Sequence, residues 1–116
     1  MEYRSLGRSG LRVSTVGLGC NNFGRSKTVT ATQEGTNAVI DAAIDAGVTL
    51  FDTADIYGSE RGLSETLMGV ALQGKRDQIV LATKFGMDMR GANGEVGGVR
   101  REHRRPEASV VDLGHG

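Results

Sequence analysis

Residues 51–58 read FDTADIYG and follow the apolar run Gly47-Val48-Thr49-Leu50, so Asp52, Asp55 and Tyr57 fall within six residues at the end of a buried strand. Lys84 closes a second apolar run, Ile79 to Thr83 (IVLAT). A carboxylate, a phenol and an ammonium have a joint use. A tyrosine with a pKa of about 10 is a poor acid at neutral pH. A neighbouring ammonium favours the phenolate and makes the phenol a better proton donor. A carboxylate beside the lysine keeps it charged and fixes its position. Tyr57 would then protonate a carbonyl oxygen while a hydride arrives at the carbon. In this reading Asp52 holds Lys84, Lys84 tunes Tyr57, and Asp55 is a helper or a turn residue. The plainer reading makes Asp52 a cap and Tyr57 a packing residue. It explains Lys84 less well, because an unpaired ammonium is costly to bury.

These residues need elements that bring them together. Residues 2–7 and 11–14 are short β-prone pieces joined by Gly7-Arg8-Ser9-Gly10, a hairpin pattern. Thr15 to Gly19 reads as a short buried strand, followed by a polar loop from Cys20 to about Thr30. Thr32 to Ala46 carries Val39, Ile40, Ala43 and Ile44 at helical spacing. Thr30 and Gln33 offer a capping box, and Gly47 a left-handed exit. Val48 to Ala54 is the next strand. Ser64 is placed to cap a second helix from about Glu65 to Leu72, with Leu67, Met68, Ala71 and Leu72 inward. Gly74 ends it, and Ile79 to Thr83 is the third strand. Strands separated by single helices imply an α/β fold with parallel pairing. Ligands in such folds gather at the carboxyl ends of the strands. Here those ends are Gly19-Cys20-Asn21, the segment Asp52 to Tyr57, and Lys84.

Composition removes several other classes. A chain of 116 residues is one small domain or part of a larger one. Its formal net charge is zero, which gives no general attraction to nucleic acid or anionic membranes. The cluster Arg100, Arg101, Arg104 and Arg105 lacks interleaved aromatics. One cysteine excludes an internal disulfide and fits a reducing compartment. Two histidines and one cysteine share no ligand spacing, so no metal is expected. Gly17, Gly19 and Gly24 are too widely spaced for a dinucleotide fingerprint. No apolar run approaches the roughly 18 residues of a membrane span, and the N-terminus has no signal-peptide core. A soluble cytoplasmic protein is expected.

The segments LGRSGLRVSTVGLG, AGVTLFDTADIYG, SETLMGVAL and RDQIVLATKFG, in this order over roughly residues 1–90, resemble the aldo-keto reductase family. The resemblance implies an incomplete (β/α)8 TIM barrel: an N-terminal hairpin closing the bottom, then about three βα units. It further implies NADPH-dependent reduction of an aldehyde or ketone to an alcohol. The family's catalytic Asp, Tyr and Lys fall on Asp52, Tyr57 and Lys84. Gly19, Cys20 and Asn21, with Asp52, would face the cofactor's nicotinamide. The family's catalytic histidine follows a DLYQxH-like strand, whereas this chain has VVDLGHG, with His115 three residues after Asp112 instead of five. The preceding RREHRRPEAS is neither amphipathic nor free of proline, as the family's helix would be. Residues 1–94 therefore read as the N-terminal part of the barrel, and 95–116 as a divergent, frameshifted or disordered tail. Alone, the chain is expected to be inactive or nearly so, and to leave both sheet edges unpaired. The alternative is a non-catalytic barrel fragment serving as an accessory or partner-binding module.

Overall fold

The computed structural model describes residues 1–86 and the backbone of three later strands, Glu95–Val96, Val99–Arg100 and Ser109–Asp112. Strands β1 (Tyr3–Ser5) and β2 (Arg12–Ser14) form the expected antiparallel hairpin, with Gly7 and Gly10 of the turn at φ +56° and +81°. The hairpin is stitched to the segment entering the second sheet strand. Tyr3 Oη donates to Gly47 O at 2.9 Å. Ser14 and Thr49 exchange two bonds: Ser14 N donates to Thr49 Oγ1, and Thr49 N to Ser14 Oγ. These contacts lie at the amino ends of the strands, opposite Asp52.

The main sheet runs β3 (Gly17–Gly19), β4 (Leu50–Asp52), β5 (Val80–Phe85), all parallel. Its register sets Gly19 beside Asp52 and Asp52 beside Ala82. Helices α1 (Gln33–Asp45) and α2 (Leu63–Ala71) complete two consecutive βα units. Side chains alternate across a strand, so Phe51 and Leu81 enter the core while Asp52 takes the other face. Phe51 and Ile40 are fully buried, and Met68, Ile79, Leu72 and Phe23 pack with them. The inner faces expected for both helices are the ones observed: Val39, Ala43 and Ile44 pack beside buried Ile40, and Leu67, Met68, Ala71 and Leu72 are buried. Gly47 and Gly74 follow the helices at φ +90° and +78°, where a side chain would be strained.

Both helix starts differ from the sequence expectation. Thr32 caps α1, its Oγ1 accepting from Gly35 N at 3.1 Å, because Val29–Ala31 form a separate 3-10 turn. Gln33 does not close a capping box with Thr30; its amide donates to Asn37 and to Leu67 O, tying α1 to α2. Ser64 lies inside α2, whose cap is Gly62 at φ +92°. The third strand also runs two residues further than expected, so Lys84 sits inside it.

The last strand, here β8, with β6 (Glu95–Val96) and β7 (Val99–Arg100) forming a small antiparallel pair before it, lies antiparallel beside β5 and sets Lys84 opposite Val110. The expectation of two open edges is thus corrected on the β5 side. Among the described residues the strands form an open sheet and no closed barrel. His103, His115, Arg101, Arg104 and Arg105 lie outside the described residues.

Candidate active site

The site grows from the aligned carboxyl ends of β3, β4 and β5. Backbone bonding continues past the strands and holds the ends in place: Cys20 N donates to Asp52 O at 2.8 Å, Thr53 N to Ala82 O at 2.9 Å, and Asp55 N to Lys84 O at 3.2 Å. Lys84 Nζ reaches across to Asp52 Oδ1 at 2.6 Å and donates to Thr53 O at 2.8 Å. The same ammonium lies 5.3 Å from the centre of the Tyr57 ring, within cation–π range. Asp52, Lys84 and Tyr57 are therefore brought together, as their types and spacing suggested.

Burial opposes the charge on Lys84, but the hydrogen bond and charge of Asp52, with help from Tyr57, outweigh it. The ammonium is held above the ordinary lysine range and stays charged throughout neutral pH. Its side chain is one-quarter exposed and that of Asp52 about half, so the pair opens to solvent at the strand-end face.

The turn carrying Tyr57 is fixed from several directions. Tyr57 N donates to Ala54 O, Ser64 N to Tyr57 O, and Ser59 N to Gly24 O. Gly58, at φ +117°, lies where a Cβ would meet Leu63 Cβ and Glu60 O at 2.8 Å. Beneath it, fully buried Ser64 donates to Cys20 O at 2.8 Å and contacts Thr53 Oγ1 at 2.9 Å. Sequence reasoning assigned Ser64 to a cap and missed this tie between two strand ends. The signal was available: a hydroxyl one turn before Met68, on the inward stripe of α2.

Gly19 sits beside Asp52, with nothing among the described residues within 4 Å of where a Cβ would project, and Asn21 is exposed. Cys20 is fully buried, and burial pushes its thiol up to about 12. The thiol donates to Leu18 O and belongs to the core, so it packs as a small apolar residue. Among the described residues no group of three or more His, Cys, Asp or Glu is placed to hold a metal, and no helix is long and apolar enough to cross a membrane.

Asp55 does not join the ion pair. Both its carboxylate oxygens are buried without a hydrogen-bond partner among the described residues. Burial raises its pKa, and the charge of Glu65 raises it further; neighbouring backbone N–H groups offset this only in part. Glu65 itself accepts from Thr83 Oγ1 at 2.8 Å. A carboxyl whose pKa is raised by folding destabilises the fold as pH rises above its unfolded value near 3.8. Asp55→Asn is expected to raise the thermal midpoint at pH 7 and to lose this advantage towards pH 4. Thermal unfolding of both proteins across that range checks the sign. A lower midpoint for the variant at pH 7 would show that the carboxylate is satisfied.

Comparison with known proteins bears on the same segments. A sequence model of the Aldo/keto reductase family matches residues 15–109. The uncharacterized oxidoreductase YqkF of Bacillus subtilis is 42% identical over 86 residues, covering 74% of this chain and 26% of that protein. The aldo-keto reductase YhdN of the same organism is 41% identical over 90 residues, covering 76% of this chain and 27% of its own. Among solved structures, a Bacillus halodurans aldo-keto reductase in its holo form superposes with a TM-score of 0.62 at 37% identity, covering 72% of this chain and 25% of that one. The chain thus spans about a quarter of the length of the curated relatives it matches.

Proposed function

Because the chain belongs to the aldo-keto reductase family, an oxidoreductase family whose barrel its βα units reproduce in part, we propose that its strand-end site serves the reduction of an aldehyde or ketone to an alcohol with NADPH. The observation that carries this reading is the ion pair of Lys84 and Asp52 at 2.6 Å, with the ammonium beside the Tyr57 ring.

The residues present suit a nicotinamide ring. Gly19 leaves a bare backbone surface next to Asp52, and the exposed amide of Asn21 offers polar groups beside it. Gly19, Cys20 through its backbone, Asn21 and Asp52 would hold that end of the cofactor. When bound, such a cofactor would supply the hydride that the carbonyl carbon accepts. Tyr57 Oη donates its proton to the carbonyl oxygen as negative charge develops there. Lys84, kept cationic by Asp52, stabilises the charge left on the phenolic oxygen. Asp52 fixes the lysine, and Thr53 O accepts a second of its protons, which limits the ammonium to one orientation.

The test is to titrate the protein with NADPH, follow its backbone amide signals, and then add para-nitrobenzaldehyde while monitoring cofactor oxidation. Shifts centred on Gly19, Asn21, Asp52 and Lys84, with aldehyde-dependent oxidation at any measurable rate, are the expected result. No shift at those residues at millimolar NADPH would overturn the cofactor assignment.

A further inference from the structure

We propose that Arg25 makes the recess beside Tyr57 a subsite for the anionic end of a carboxylate-bearing aldehyde or ketone. The inference rests on the reading that Tyr57 faces the substrate, and deepens it by naming the substrate class.

An open recess of about 450 Å³ lies against Tyr57, lined by Asn21, Arg25, Ser26, Ile56, Gly58 and Ser59. Its chemistry is one-sided. Among the described residues Arg25 is the single formally charged one in the lining, and no carboxylate contributes to it. Neither of the two ion pairs among the described residues involves Arg25. Among the described residues the side chain makes one long hydrogen bond, Nη1 to Asn22 Oδ1 at 3.3 Å, which leaves most of its five donors unused by them. Ser26 and Ser59 add hydroxyl groups, and Ile56 an apolar wall.

The loop bearing Arg25 is built rather than loose. Arg25 N donates to Asn22 O at 3.0 Å, and Gly24 N to Thr30 O at 2.9 Å. Thr28 Oγ1 donates to Arg25 O at 2.8 Å, and Thr30 Oγ1 to Asn22 O at 2.8 Å. Gly24, at φ +78°, has no room for a side chain: a Cβ would stand 2.6 Å from Leu63 Cγ. Lys27 occupies the left-handed region at φ +67°, which an ordinary residue adopts only when its surroundings demand it. Ser59 N, donating to Gly24 O at 2.8 Å, joins this loop to the Tyr57 turn. A guanidinium on a pre-formed loop beside a phenol suits a bidentate carboxylate. A substrate whose carboxylate sits on Arg25 would present its carbonyl to Tyr57.

The experiment reads binding and needs no turnover. The protein is titrated with para-(hydroxymethyl)benzoate, an unreactive product analogue, and with its neutral methyl ester, each followed through the amide signals of Asn21, Arg25 and Tyr57. The carboxylate is expected to bind about 10-fold more tightly than the ester, the worth of one charge-assisted contact. Arg25→Gln is expected to abolish that preference, and Arg25→Lys to keep part of it. Arg25 is exposed, so both variants should retain the parent amide spectrum. Equal affinities for the two ligands, or a preference that survives Arg25→Gln, would overturn the subsite. The outcome is separable from the reductase reading. A carboxylate preference without NADPH binding leaves the subsite standing and removes the reductase; NADPH-dependent reduction with no such preference does the reverse.

Discussion

Replacing Tyr57 with Phe is expected to lower carbonyl reduction by about 10²- to 10⁴-fold, the usual worth of a positioned general acid. The effect is read on a chimera in which residues 1–86 replace the matching segment of a full-length relative. The substitution removes one oxygen. The ring stays beside Lys84, and the backbone bonds of Tyr57 to Ala54 and Ser64 do not involve the hydroxyl. Fold and cofactor binding should therefore survive, and the loss should appear in kcat. Lys84→Met is expected to give a loss of similar order by a different route. It leaves Asp52 without its ion partner and Thr53 O without its side-chain donor. The two changes act on one unit, so the double variant should be little worse than either single one. Single-turnover reduction of para-nitrobenzaldehyde by the parent, both single variants and the double variant is the measurement. A Tyr57→Phe protein that keeps most of the parent rate would assign the proton to another donor.

The three groups of this site were legible in the sequence because each ends or follows an apolar run, and strand ends in a parallel sheet converge by construction. The order of hairpin, strands and helices followed from apolar spacing and glycine punctuation for the same reason. What the sequence did not reveal was the traffic between elements. Thr30 with Gln33, and Ser64 before Glu65, are sound local capping signals, yet a 3-10 turn displaced the first and a buried tie to Cys20 O claimed the second. Hydroxyl and amide side chains satisfy whichever partner folding brings near, and local pattern cannot rank partners 34 or 44 residues away. The antiparallel pairing of the last strand with β5 was equally hidden. A short stretch such as SVVD declares that it can be extended, while its direction is decided by the edge it meets. Arg25 was overlooked because it comes to line one recess with Tyr57 only when two loops distant in sequence fold together.

Phe51→Ala is expected to cost about 3–5 kcal/mol of unfolding free energy, a large share of the roughly 5–15 kcal/mol that stabilises an ordinary domain. Phe51 is fully buried and heads the core of this chain. Its register partners are Leu18 on β3 and Leu81 on β5, so one ring fills the centre of the sheet face that both helices cover. Phe23, Ile40, Met68, Leu72, Ile79 and Leu81 share its cluster, and such packed surroundings relax only partly into the space a lost ring leaves. The same residue ties stability to the site: strand alternation sends Phe51 inward and Asp52 to the opposite face, so anchoring the ring fixes where the carboxylate meets Lys84. Urea unfolding of Phe51→Ala should show a large drop in midpoint, whereas Val70→Ala, on the exposed side of α2, should fall within about 0.5 kcal/mol of the parent. If the two variants unfold at the same midpoint, the packing around β4 is not what holds this sheet together. If Phe51→Ala still folds but loses the amide signature of the Lys84–Asp52 pair, the core ring acts chiefly to set the register of the strand ends.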